Sequence, residues 1–235
     1  MCIRDREDTF AGVLTEATSI LGQIDDPVDA ELWGSDLMGA LAASAASQAS
    51  LMNALTGSLV PAAEAAGTPE SLALLRVFAA VGSPALRAAA GPAAARLSAL
   101  GVADPPWAAT LGSPRVGECW HYADVGGRQE SLTMTFAYGD RPHAVCVLID
   151  HGRGGTIKDT WVAKAPGLRA ETEQAARDDP LVVFEMIGAA DAGRRLKQAI
   201  GAGEGPEQPD QVDDVVAHRA LLHARLELLL SPGTP

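Results

Sequence analysis

Aromatic side chains are scarce in this chain of 235 residues, at 4% of the total. The core must therefore be built from Ala, Leu and Val, and small side chains favour close approach of helices. Basic residues are also in deficit: 18 Lys and Arg stand against 30 Asp and Glu, a formal net charge of −12. That balance argues against non-specific nucleic-acid binding, which needs cations to displace counterions. It argues equally against docking on anionic lipid. There are three cysteines, Cys2, Cys119 and Cys146, and no CxxC pair. A disulfide framework and a four-ligand structural zinc site are both disfavoured. No apolar run is long enough and free enough of charge to read as a membrane span. The opening, MCIRDREDTF, has charges and no apolar h-region, so it is not a signal peptide. The expected location is the cytoplasm. MCIRDR itself is out of keeping with the Ala-rich chain behind it. Residues 1–6 are set aside as a spurious leader, Cys2 with them.

Apolar content, by contrast, is ordinary for a globular protein at 47%. Residues 7–112 read as a helical domain. Phe10, Val13, Leu14, Ala17, Leu21 and Ile24 fall at helical spacing. Asp26-Pro27, Thr68-Pro69 and Ser83-Pro84 each offer a capping oxygen followed by proline at the first helical position. Gly67, Gly82 and Gly101 stand where helices are expected to end. Segments 68–82 and 83–101 look like an antiparallel helix pair. No third copy is clear, so a compact bundle is expected rather than a solenoid.

Asp104-Pro105-Pro106-Trp107 marks a break, and the pattern changes to period two beyond residue 118. Residues 113–231 read as an α+β domain with a four- to five-stranded antiparallel sheet. Strands are expected at Cys119–Asp124, Ser131–Tyr138, His143–Asp150 and Thr156–Ala163, joined by glycine turns as a meander. Leu132, Met134 and Phe136 share one face and should meet Val145, Val147 and Ile149 in the core. Helix follows at 167–178, a fifth strand at Leu181–Ile187, and helices at 189–201 and 211–230 around a linker. The last helix carries Val215, Leu221, Leu222, Leu226 and Leu229. Its apolar face must pack on the sheet or on a second copy of the chain. Trp107 and Trp120 flank the break and are expected to pack the helical part against the sheet. The fold class is thus α+β: an N-terminal helical bundle, then an antiparallel meander with C-terminal helices.

Reactive side chains gather in residues 131–163. Pairing His151 with Thr156 across the Gly152–Gly155 turn sets Asp150 opposite Ile157 and Leu148 opposite Asp159. Asp150 and Asp159 then become diagonal neighbours on one sheet face, with Cys146 and Trp161. His143, His151 and Lys158 take the other face in that register. The candidate site is Asp150, His151, Asp159, Lys158 and Trp161. One reading makes Asp150 and Asp159, with His151 bending round from the turn, ligands for a divalent cation or an acid–base pair. The other makes Asp150 a turn cap and Asp159 the partner of an outward cation. Gly152-Arg153-Gly154-Gly155 could cradle an anion, but it leads into a strand rather than a helix, so a tight hairpin explains it better. Cys146, between Val145 and Val147, reads as inert packing. Ser131 lies in no G-x-S-x-G turn. His218 and His223 are five apart on the last helix and do not share a face.

The order PPWAATLG (105–112), QESLTMTFAYG (129–139), HAVCVLIDHGRGGTIKDTWV (143–162) and DDPLVVFEMI (178–187) resembles a family of uncharacterised actinobacterial proteins. The resemblance covers most of residues 26–230 and implies a high-GC bacterial origin and the same element order. It implies no activity, cofactor or catalytic residue. Two functions are weighed on the residues. One is a non-catalytic protein-binding or regulatory module, with a protein partner or homo-oligomer through the last helix. The other is a metal-assisted hydrolase or small-ligand-binding protein using the Asp150/His151/Asp159 hairpin. The residues alone are compatible with an enzyme and with a non-catalytic protein.

Overall fold

The computed structural model describes residues 12, 15, 19–203 and 213–231. The expected leader at 1–6 lies outside them, as do most of the first apolar stripe, from Phe10 to Ala17, and all but the first two residues of the linker expected at 202–211. The chain divides into two compact units, Met1–Gly112 and Ser113–Pro235.

In the first unit every expected cap-plus-proline opens a helix. Helix α1 spans Pro27–Ser44, and the Asp26 carboxylate accepts the Val28 N–H at 3.0 Å. Helix α2, Gln48–Ala54, runs through a π turn at Leu55–Leu59 into α3, Val60–Ala66. Pro61 has no N–H to offer the carbonyl behind it, and the widened turn lies directly before it. Gly67 closes α3 at φ +64°, a conformation that glycine adopts without strain. Helix α4, Pro69–Val81, starts with a capping box in which Thr68 and Ser71 exchange side-chain and backbone bonds. Helix α5, Pro84–Ala99, is capped by Ser83. The core here is aliphatic, with Leu55, Leu59, Leu72, Leu74, Leu75, Val77, Leu86 and Leu97 buried around Phe78. Arg76 on α4 makes a paired contact with Asp104, at 2.8 and 2.9 Å, and Asp104 also accepts the Ser98 hydroxyl at 2.7 Å. Trp107 is buried, and its indole N–H donates to the Ile24 carbonyl at 3.0 Å inside the same unit.

The second unit is a five-stranded antiparallel sheet with helices, so the chain is α+β with an N-terminal helical part followed by strands and C-terminal helices. Strand β1 spans Arg115–Asp124, β2 Gln129–Tyr138, β3 Arg141–Asp150, β4 Thr156–Lys164 and β5 Val182–Ile187. Their order is β4-β3-β2-β1-β5. The first four form the expected meander. The fifth does not follow on from β4; it joins the far edge, beside β1. β4 and β5 therefore run in the same direction at opposite edges, and a crossover must carry the chain between them. Helix α6, Leu168–Asp178, lies in that crossover, and Arg169 on it pairs with Glu118 of β1 at 2.8 Å. β1 begins four residues earlier than the alternation suggests. Its register shifts between Val116 and Cys119, and that bulge hides the front half of the strand from a period-two reading.

One face of the sheet carries the core. Leu132, Met134, Phe136, Val145, Val147 and Ile149 are all buried there. Helix α7, Ala189–Ala202, and helix α8, Asp213–Leu230, pack on each other and on the strands. Of the two partners open to the leucine face of the last helix, the structure shows the sheet and α7: Val215, Leu221, Leu222 and Leu229 are buried within the chain. Gly193 lets α7 come close, since a Cβ there would lie 2.8 Å from a Leu230 methyl. Among the described residues no helix is long and apolar enough to cross a membrane.

Candidate functional site

The β3–β4 hairpin differs from its expected register at the turn. Asp150, not His151, pairs with Thr156, and Ile149, not Asp150, faces Ile157. The physical reason is a short 3-10 turn at His151–Arg153 that lifts His151 out of the ladder. Lys158 then bulges as an unpaired extra residue and restores the expected Leu148–Asp159 pair. The Gly154 N–H donates to the His151 carbonyl at 3.3 Å, and the Gly155 N–H to the Asp150 carbonyl at 3.0 Å. Those two amides are thus turned inward and are not offered to a ligand.

Asp150 and Asp159 lie on the sheet face opposite Leu132 and Val147, with Cys146 and Trp161. Asp150 has Arg153 at 3.9 Å. Asp159 accepts the backbone N–H of Thr160 at 2.8 Å. Lys158 is exposed, and Trp161 is 39% exposed beside buried Cys146. His151 swings to the opposite face. Its Nε2 donates to Glu130 Oε2 at 3.0 Å. The hairpin therefore does not bring His151 to the two aspartates. Among the described residues no group of three or more His, Cys, Asp or Glu side chains stands close enough to hold a metal ion.

What the structure assembles instead centres on Glu130, which belongs to the same face of β2 as Leu132 and Met134. It is only 5% exposed. A buried carboxylate is costly unless it is paired and hydrogen-bonded. Here Oε1 accepts from Arg195 Nη1 at 2.7 Å while Oε2 accepts from His151. His121 of β1 brings Nδ1 to 3.8 Å from Oε1, and its Nε2 donates to Glu185 of β5 at 3.0 Å. On α7, Asp191 accepts from Arg194 at 2.9 Å and from Arg195 Nε at 3.2 Å. The cluster thus ties three strands, β1, β2 and β5, and the hairpin turn to α7.

Above Glu130 lies an open cleft of about 520 Å³. The hairpin side supplies His151, Gly154 and Gly155, and the helix side supplies Arg194, Arg195 and Gln198. The cleft takes in His151 but neither Asp150 nor Asp159. Of the expected site residues, His151 alone lines it.

At the other end of the core face a second polar group is fully enclosed. His143 stacks on Phe136 and Tyr138, each at 5.9 Å between ring centroids, and Arg225 lies over the Phe136 ring at 5.0 Å. Cys119 and Cys146 are buried, and burial pushes both thiols up to about 11. Neither suits a nucleophile at neutral pH. No protein-family model, curated protein or solved structure matches the chain.

Proposed function

We propose that the protein binds a small polar molecule in the cleft between the β3–β4 hairpin and α7, without covalent chemistry of its own. The observation that carries this reading is the buried Glu130 carboxylate, held by Arg195 from one side and by His151 from the other at the base of an open cleft. Fixed charges at the base of a concave site are what orient small ligands. The cleft volume is in the range of such sites. Docking of a partner or second copy on the last helix has less support, because Val215, Leu221, Leu222 and Leu229 are already buried within the chain.

The test is a thermal-unfolding screen of the full chain against a library of small polar molecules. A ligand at a hundred times its Kd should stabilise by about 2.7 kcal/mol. His151→Ala removes a lining side chain and one of the bonds that hold Glu130, and should reduce the shift. A shift that survives His151→Ala unchanged would place the ligand elsewhere and sink the reading.

A further inference from the structure

The polar groups around the cleft are unequally occupied. Both carboxylates on its walls are already engaged: Glu130 by Arg195 and His151, Asp191 by Arg194 and Arg195. The donors are in surplus. Arg195 uses Nε and Nη1 and Arg194 uses Nη2, which leaves Arg195 Nη2 and Arg194 Nε and Nη1 without hydrogen-bond partners among the described residues. The Gln198 amide also has none. His151 gives its Nε2 proton to Glu130. Two adjacent guanidinium groups on α7, with the Gln198 amide beside them, thus line one volume in which both carboxylates are already engaged.

Resting on the small-ligand reading above, we infer that the cleft takes a soluble molecule carrying a carboxylate or phosphate group, gripped by Arg194, Arg195 and Gln198. Planar guanidinium groups match such oxyanions, and charge-assisted bonds are the strong ones. Glu130 and Asp191 act here as positioning residues. They hold the arginines in place, and it is the guanidinium charges that disfavour a cation. Asp191 also competes with the ligand for both arginines.

The experiment is calorimetric titration of the full chain at low ionic strength with four probes: inorganic phosphate, succinate, putrescine and glucose. Phosphate and succinate should bind, and putrescine and glucose should not. Arg194→Gln changes an exposed side chain and should weaken the anions about tenfold, the effect of one charge-assisted bond. Asp191→Asn should tighten them, because the arginines lose their internal competitor. Binding of putrescine or glucose without either anion would overturn the anion inference and leave the small-ligand reading standing. Failure of all four probes at millimolar concentration would overturn the anion inference, while the library screen and His151→Ala decide the small-ligand reading. Anion binding that neither variant changes would put the anion elsewhere and overturn the inference alone.

Discussion

The imidazole of His151 donates to the carboxylate of Glu130 at 3.0 Å, across 21 positions of sequence. The bond ties the β3–β4 turn to the start of β2 and fixes how the hairpin borders the cleft. Glu130 also carries Arg195 at 2.7 Å, so it joins three elements. Glu130→Gln keeps the shape and removes the charge that both donors face. The variant should lose about 1–3 kcal/mol of stability, the cost of leaving buried polar groups imperfectly paired. Urea unfolding of wild type and variant measures it. A loss within experimental error would mean that the charge at this position does not organise the cleft.

Phe136 tests the core itself. Its ring is 1% exposed, with His143 stacked on it and Arg225 above it. Phe136→Ala should cost about 3–5 kcal/mol. A loss under about 1 kcal/mol would show that this sheet face is not the core.

Most of the second unit was legible because its strands alternate cleanly and its turns carry glycine. Leu132, Met134 and Phe136 announce one face, and the neighbouring strand answers with Val145, Val147 and Ile149. Extending that face back by two residues reaches Glu130, a carboxylate on the core side, which needs a cation. That was the signal for the cluster. Its partner could not be read in the same way, because Arg195 lies 65 positions away and only the packing of α7 brings it near. The place of β5 was hidden for a related reason. Nothing local in Leu181–Ile187 distinguishes pairing with β4 from pairing with β1. The hairpin register failed on two irregularities, the 3-10 turn and the Lys158 bulge, which alternation does not encode.

In the first unit, acid should expose the Arg76–Asp104 contact. The Arg76 hydrogen bond, helped by that from Ser98, holds the Asp104 carboxyl below its ordinary value. A carboxyl lowered in the folded state adds stability above its unfolded pKa, and the contribution is lost as pH falls through the folded value. Asp104→Asn should therefore cost ~0.5–1 kcal/mol at neutral pH, since the pair is partly exposed. The gap between wild type and variant should close well below the ordinary aspartate range. Urea unfolding at the two pH values decides, and a gap independent of pH would contradict the assignment.

The thiols give a chemical readout of packing. Burial raises Cys119 and Cys146 to about 11, so both are neutral at physiological pH. In a Cys2→Ser background, iodoacetamide should modify neither in the folded protein and both in urea. Because the folded thiols hold their protons more tightly than the unfolded ones, stability should also fall as pH rises above the ordinary thiol range. Rapid native labelling of Cys146 would show that β3 opens readily or is not buried.

Divalent metals should leave the protein unchanged. Asp150 and Asp159 share one sheet face, while His151 is held by Glu130 on the other. Asp159 already uses Oδ1 for the Thr160 N–H, at 2.8 Å. An asparagine keeps that acceptor, so Asp159→Asn should shift stability by no more than about 0.5 kcal/mol. The measurement is thermal unfolding in EDTA and then in added Mg, Mn or Zn, for wild type and variant. Equal midpoints in all conditions are expected, because a bound metal stabilises only a fold that presents its ligands together. A metal-specific rise in wild type that Asp159→Asn abolishes would mean that the hairpin rearranges to gather its carboxylates. It would then favour a metal-assisted reaction at Asp150, His151 and Asp159 over the cleft around Glu130.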